Sequence, residues 1–376
     1  MRPSPTLQGL RAYPFTRLTE AKRRLADQGV EILDFGVGEP REETPRFIRD
    51  ALVAALEPRH GYPLAEGLPE LRAAVAAWCG RRFGVDLDPD REVIPTYGSK
   101  EAIFHLAQVV GGDLVAVPAP GYPVPERGAL FAGKEVVELP LRAEDGFLPD
   151  LDAVPPEVLS RLGLLWLNYP SNPTAAVAPL ELYERAAALA REHDFVLASD
   201  EAYSEIYFGA EPPASALQVG DRTNVVAFNT LSKRSAMPGY RSGFAAGDPA
   251  IVAALKRYRP NVGSAPQDFV QRASVAAWGD EEHVEAMRGI YRAKRDVLLP
   301  ALERAGLRHV GGDATMFLWL ADPDGVAERL LERGVVLAPG EFFGAPGAGY
   351  ARLALVPELS VCERAADVIA AVASAA

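Results

Sequence analysis

Between about Arg91 and Asp248 the chain alternates short apolar runs with amphipathic stretches. The runs are Glu92–Thr96, Leu114–Val117, Glu135–Leu139, Leu164–Leu167, Phe195–Ala198, Val225–Phe228 and Gly243–Ala246. Their length and β-branched content suit buried strands, and Gly, Pro, Asn and Asp bound most of them. Ser99–Val109 and Leu180–His193 lie between runs and repeat their apolar positions at helical spacing. Repeated strand–helix–strand units predict an α/β fold around a mostly parallel sheet, here of seven strands. In such sheets ligands sit beyond the carboxyl ends of the strands, so chemistry is to be sought in the loops that follow the runs.

Outside this stretch the pattern changes. Phe47–Leu56 and Leu68–Arg82 read as helices upstream, and Asp280–Ala305 as a charged helix downstream. The remainder mixes short strands (Thr315–Leu320, Val335–Leu337, Tyr350–Leu355) with helices, while the Pro/Gly-rich segments Pro118–Pro125 and Ala338–Gly349 read as loops. With 376 residues the chain exceeds one compact core. The expected division is a large domain over 45–261 and a smaller α+β domain built from both ends, 1–44 and 262–376.

Composition narrows the function classes. The chain is 48% hydrophobic and 24% charged, with no apolar run long enough for a bilayer span. Met1–Leu10 lacks the apolar core of a signal peptide, and two cysteines, Cys79 and Cys362, are too few for a disulfide framework. The expected location is the cytoplasm. A net charge of −12 argues against nucleic-acid binding. Arg23-Arg24 and Arg81-Arg82 read as solvated helix faces, and the five histidines show no ligand spacing, so no metal site is expected.

Four segments at strand ends carry the candidate chemistry. Thr230-Leu231-Ser232-Lys233 through Arg241-Ser242-Gly243 follows one run; its lysine is either a surface group in a polar loop or an amine beside an anion site. Ser199-Asp200-Glu201-Ala202-Tyr203 follows another, with Asp200 either a helix N-cap or a partner for a ring nitrogen. Asn168-Tyr169-Pro170-Ser171-Asn172-Pro173-Thr174 is by itself only a turn signal. Tyr97-Gly98-Ser99-Lys100-Glu101 joins a strand to a helix N-terminus, where free amides form a phosphate site and Ser99 can equally be a cap.

Together with Gly38-Glu39-Pro40, Tyr62-Pro63, Tyr122 and Arg352, these segments resemble the class I/II aminotransferases of the fold-type-I pyridoxal-phosphate enzymes, in order and spacing across nearly the whole chain. The resemblance implies a homodimeric enzyme acting on an amino acid and a 2-oxo acid. Lys233 would carry pyridoxal 5'-phosphate as a Schiff base and move the substrate proton. Asp200 would pair with the pyridinium nitrogen, Asn172 and Tyr203 would donate to the ring phenolate, and Tyr122 would stack on the ring. Arg241, the Thr230 and Ser232 hydroxyls and the amides of Gly98, Ser99 and Lys100 would hold the phosphate, with Tyr62 reaching that of the neighbouring subunit. Arg352 and the Gly38 amide would bind the substrate α-carboxylate.

Longer stretches look like one branch, the N-succinyl-L,L-diaminopimelate aminotransferases of lysine synthesis. They are Tyr13-Pro14-Phe15, Gly98–Phe104, Ala198–Phe208, Leu231–Ser235, Pro238–Phe244 and Ala277–Val284. Lys233-Arg234-Ser235 and Tyr203-Ser204-Glu205 stand out because cofactor chemistry does not demand them. The implied reaction takes N-succinyl-2-amino-6-oxopimelate to N-succinyl-L,L-diaminopimelate with glutamate as donor. Arg17, Lys100, Arg234 and Arg259 are candidates for the distal carboxylate. The chain departs from the pattern at Ala175, where glycine is common, and at Pro120-Gly121-Tyr122-Pro123. The same residues also suit an aspartate, aromatic or other general aminotransferase, or a C–S β-lyase.

Overall fold

A computed structural model of the chain describes residues 1–10 and 15–374. Tyr13-Pro14 and the side chains of Phe15 and Arg17 lie outside the described residues. The strands are β1 (Leu33–Asp34), β2 (Val93–Tyr97), β3 (Leu114–Ala119), β4 (Glu135–Pro140), β5 (Leu162–Asn168), β6 (Val196–Asp200), β7 (Val225–Thr230), β8 (Ser242–Gly247), β9 (Arg308–His309), β10 (Phe317–Ala321), β11 (Val335–Val336), β12 (Ala338–Pro339) and β13 (Tyr350–Ala354).

β2 to β8 form one seven-stranded sheet in the order β2-β8-β7-β6-β5-β3-β4. Each of the seven apolar runs is one of its strands. β8 alone runs antiparallel to its neighbours, β2 and β7. β5 is buried along its whole length, as expected of a central strand covered on both faces. Apolar clusters lie on either face: Ile94, Ala102, Ile103, Leu106, Trp166 and Phe228 in one, Leu165, Leu167, Tyr183, Ala186 and Leu197 in another.

The sheet's polarity gathers the loops. β2, β5, β6 and β7 end at Tyr97, Asn168, Asp200 and Thr230, with Asn168 level with Asp200 and Asp200 level with Phe228. Because β8 runs the other way, its first residues lie at that same end: Ser242 pairs with Tyr97 and Gly243 with Thr230. Gly243 is needed there, since a Cβ would meet the Asn229 carbonyl oxygen at 2.5 Å and the Ser99 amide at 3.1 Å.

The second unit is an antiparallel sheet ordered β12-β13-β10-β9, beside the parallel pair β1-β11. Helices Glu282–Arg304 and Leu359–Ser374 pack together on it, around Leu298, Leu302, Phe317, Leu353 and Ile369. Helix Asp268–Trp278 packs instead on helices Arg46–Ala54 and Pro69–Phe83, where Trp78 and Trp278 meet.

Local differences from the expected boundaries have physical reasons. The expected helix Asp280–Ala305 begins at Glu282, because the Asp280 carboxylate accepts the His283 amide and closes the turn outside the helix. The strand expected from Thr315 begins at Phe317, since Thr315 has φ +64°. Pro118–Pro125 is only partly a loop: Pro118 and Ala119 end β3, and helix Val124–Phe131 starts with a proline in its first turn. Ala175, where the family pattern favours glycine, has φ +59°.

Candidate active site

A cavity of about 330 Å³ opens at the carboxyl end of the large sheet and reaches the smaller one. Its walls bring together Gly38, Ser99, Lys100, Tyr122, Asn172, Asp200, Tyr203, Thr230, Ser232, Lys233, Arg241 and Arg352. Gly98 is one residue behind this wall. Tyr62 is fully exposed and outside the cavity of its own chain.

At one end, Gly98 and Ser99 start helix Gly98–Val109 with their amides unpaired by the helix itself. Arg241, at φ +55°, folds back so that its Nη1 donates to the Pro238 carbonyl (2.9 Å). A Cβ at Gly98 (φ +67°) would meet Arg241 Nη2 at 2.4 Å, so glycine lets guanidinium and helix terminus approach. The Ser232 amide donates to Thr230 Oγ1 (3.2 Å), which also lies 2.9 Å from Ser232 Oγ and 2.8 Å from the Ser242 carbonyl oxygen. Thr230 therefore caps the short helix Leu231–Arg234, and Ser232 faces the cavity. An arginine, a hydroxyl and a helix N-terminus around one point form an anion site.

At the centre, Lys233 Nζ donates to the Gly38 carbonyl (3.0 Å) and lies 6.0 Å from the Tyr203 ring centroid. Burial first, then the charges of Arg352 and Arg241, bring its pKa down to about 8. Asp200 is 4% exposed and accepts the Ala202 amide (3.2 Å). Burial raises its pKa to about 7, and Lys233 offsets this only in part. Glu201, facing away towards the Ala216 amide, is pushed to about 7 by the same cause. Burial also pushes the Tyr203 hydroxyl well up, keeping it a neutral donor.

At the far end, Arg352 projects from β13 with its guanidinium between two aromatic rings, 4.2 Å from the centroid of Phe317 and 4.5 Å from that of Phe343. Its Nη1 donates to Asn172 Oδ1 (2.8 Å) and its Nη2 to the Gly36 carbonyl (2.9 Å). Because arginine only donates, Asn172 must present its oxygen to Arg352, which turns its NH₂ group elsewhere as a donor. The Asn172 amide in turn donates to Asn168 Oδ1 (3.0 Å), and Asn168 Nδ2 to the Asp200 carbonyl (2.9 Å).

Phe317 and Phe343 are lining residues that sequence reasoning missed, and Asn168, which opens one of the strand-end candidate segments, lines the cavity although no role was assigned to it. Phe317 and Phe343 follow no spacing rule, and only the packing of the smaller sheet brings them to Arg352. Two of the four candidates for the distal carboxylate are excluded by their surroundings. Arg234 is held by Glu281 and Arg259 by Glu101, both away from the cavity. Lys100 lines the cavity, and the Arg17 side chain lies outside the described residues.

These features fit pyridoxal phosphate. The anion site suits its phosphate, the buried Asp200 lacks an ion-pair partner among the described residues and suits a protonated ring nitrogen, and Lys233 suits the aldehyde. Lys233, Arg241 and Arg352 also give the cavity an excess of positive charge for anionic ligands.

Comparison with known proteins agrees. The profile of the aminotransferases of class I and II matches residues 30–369. The LL-diaminopimelate aminotransferase of Aquifex aeolicus is 43% identical over 375 residues, covering 96% of this chain and 97% of its own. The solved structure of a probable N-succinyldiaminopimelate aminotransferase from Thermus thermophilus superposes with TM-score 0.88 at 36% identity, covering 95% of this chain and 99% of its own. An aspartate aminotransferase mutant from Thermus thermophilus does so with TM-score 0.91 at 32% identity, covering 99% and 100%. With its fold, its cavity and its relatives in agreement, this chain belongs to the class I and II aminotransferases and is a pyridoxal-phosphate-dependent enzyme.

Proposed function

We propose that this enzyme moves an amino group between glutamate and a 2-oxo acid of the diaminopimelate skeleton, a step of lysine biosynthesis. The observation that carries the transamination is the convergence of Lys233, Asp200 and Arg352 on one cavity. When bound, the cofactor supplies an electron sink for the pair left at the substrate α-carbon. Asp200 would accept the ring N–H, and the Asn172 NH₂ and the Tyr203 hydroxyl would donate to the ring oxygen. Lys233, with its pKa near 8, is partly neutral at neutral pH and can accept and return the α-proton. Tyr122 would cover the ring face, while Arg241, Ser232, Thr230 and the amides of Gly98, Ser99 and Lys100 would hold the phosphate. Arg352, pre-oriented between its two aromatic rings, binds the α-carboxylate beside the Gly38 backbone.

The free L,L-form of diaminopimelate is the first choice of substrate, because the 43% identical Aquifex aeolicus relative carries that name. The N-succinyl form is the second reading, favoured by the branch-specific stretches and by the 36% identical Thermus thermophilus structure. Lys100 is the group proposed to meet the distal carboxylate in either case. With each amino acid added singly to the yellow holoenzyme, L,L-diaminopimelate and glutamate should bleach the lysine-bound cofactor's absorption within the mixing time of a stopped-flow trace. A response to the N-succinyl compound but not to L,L-diaminopimelate would select the second reading. A response to aspartate or phenylalanine alone would contradict both.

Tyr62, fully exposed in the single chain, is proposed to complete the phosphate site of a second copy. Tyr62→Phe should then weaken cofactor retention about tenfold, as expected for one lost hydrogen bond to a charged group. Equal cofactor affinity in the variant, measured by fluorescence titration of the cofactor-free protein, would contradict this.

Asp200 also links stability to pH in the cofactor-free protein. Its pKa is near 7 in the fold and near 3.8 in the unfolded chain, so the fold keeps the proton that the unfolded chain loses. Its contribution is therefore fully present below pH 3.8 and declines as pH rises to about 7. Asp200→Asn removes the dependence. Urea unfolding of the two cofactor-free proteins should show the variant gaining about 3 kcal/mol relative to the wild type between pH 5 and pH 8. A constant difference would contradict the assignment.

A further inference from the structure

Two stretches that cofactor chemistry leaves unexplained, Arg234-Ser235 and Ala277–Val284, meet in the fold. Lys233 stands in a helix of four residues, Leu231–Arg234, too short to hold its own shape. It is followed by Ser235 and by Ala236 at φ +49°. Lys233 turns into the cavity, and Arg234 turns away from it into the protein, where it is 1% exposed.

Arg234 directs both terminal nitrogens of its guanidinium at the 277–281 segment, while its buried Nε has no hydrogen-bond partner among the described residues. Nη1 donates to the Ala277 carbonyl (2.9 Å), and Nη2 lies 2.9 Å from each Glu281 carboxylate oxygen and 3.4 Å from the Asp280 carbonyl oxygen. Its guanidinium lies against the Trp278 and Trp78 pair, 4.8 Å and 5.5 Å from the two ring centroids. A lysine could not make this set, since the fork and its stacking are particular to arginine.

Ser235 adds a second line. Its Oγ is 2.9 Å from His283 Nε2, and His283 Nδ1 is 2.6 Å from Asp280 Oδ1. The order Ser-His-Asp is that of a hydrolytic triad, yet Ser235 is wholly buried and meets no ligand-accessible space. With Asp280 accepting from Nδ1–H, Nε2 is the acceptor for the Ser235 hydroxyl, and the neutral tautomer satisfies every group. Phe47 packs edge-on against the imidazole with ring centroids 5.4 Å apart.

We propose that Arg234 and the Ser235–His283–Asp280 chain are positioning groups for Lys233, gripping the four-residue turn from behind so that the amine keeps its place on the cavity floor. This rests on the reading of Lys233 as the lysine that carries the cofactor. The turn cannot rotate or slide without breaking the Arg234 bonds and the Ser235–His283 bond together. A displacement of about 1 Å at such an amine costs on the order of 100-fold in rate.

The test compares the wild-type holoenzyme with Ser235→Ala, His283→Gln and Arg234→Lys. Three quantities are read: kcat and KM for the amino donor, the pH midpoint of the bound cofactor's visible absorption, and the urea midpoint. The expected result is a fall in kcat of about 10- to 100-fold with KM nearly unchanged, together with a shift of the absorption midpoint by about half a pH unit or more. Ser235→Ala deletes one oxygen atom and keeps the test open should Arg234→Lys fail to fold. Wild-type kcat and absorption midpoint in Ser235→Ala and His283→Gln, whatever their urea midpoints, overturn the proposal. Lys233→Ala separates the two readings: if it keeps the lysine-bound absorption, the assignment of Lys233 has failed rather than the clamp.

Discussion

An amine, a carboxylate and two guanidinium groups share one cavity out of bulk water, and most of the architecture serves to hold them there. Burial works against the amine and the carboxylate, taking Lys233 down towards neutrality and Asp200 up towards protonation. Neither group forms an ion pair with the other among the described residues. Such a site is poised rather than satisfied, and a zwitterionic ring with a phosphate tail supplies the missing partners. Stability is spent on keeping these groups apart, which is the usual relation between an active site and its fold.

The sheet accounts for how they are kept apart. Parallel strands deliver Asn168, Asp200 and Thr230 to one edge at nearly equal height, and the single antiparallel strand delivers Arg241 and Gly243 to the same edge. The opposite wall comes from the smaller sheet, where β13 presents Arg352 between Phe317 and Phe343. The segment bearing Gly38 is tied down at Glu42, which accepts from Tyr291 (3.0 Å) and pairs with Lys294 on helix Glu282–Arg304. That helix begins beside the Arg234 clamp, so one rigid element touches the supports of both Lys233 and Gly38.

Much of this was legible in the residues themselves. The large-sheet strands could be read because the central ones are buried, continuous apolar runs bounded by turn residues, and even the more exposed edge strand β4 keeps the β-branched pair Val136-Val137. Element ends were less legible where one residue decides them, as the Asp280 carboxylate does for the helix start at Glu282 and the left-handed backbone of Thr315 does for the start of β10. Arg234 and Arg259 carry no local sign of burial, and only their contacts with Glu281, Glu101 and the tryptophan pair remove them from substrate binding. Phe317 and Phe343 illustrate the same limit, since their approach to Arg352 depends on how two distant segments of the smaller unit fold together. Tyr122, Asn172 and Lys233 were recoverable only as a set, because each alone is compatible with an ordinary loop.

The account depends most on Lys233 being the covalent anchor of the cofactor. The direct measurement is to reduce the purified holoenzyme with borohydride, digest it and locate the stable pyridoxyl adduct by mass spectrometry. The account predicts the adduct on the peptide containing Thr230-Leu231-Ser232-Lys233, at Lys233 and in near-stoichiometric amount. An adduct confined to Lys100 or any other lysine, or a reduced protein with none, would contradict it.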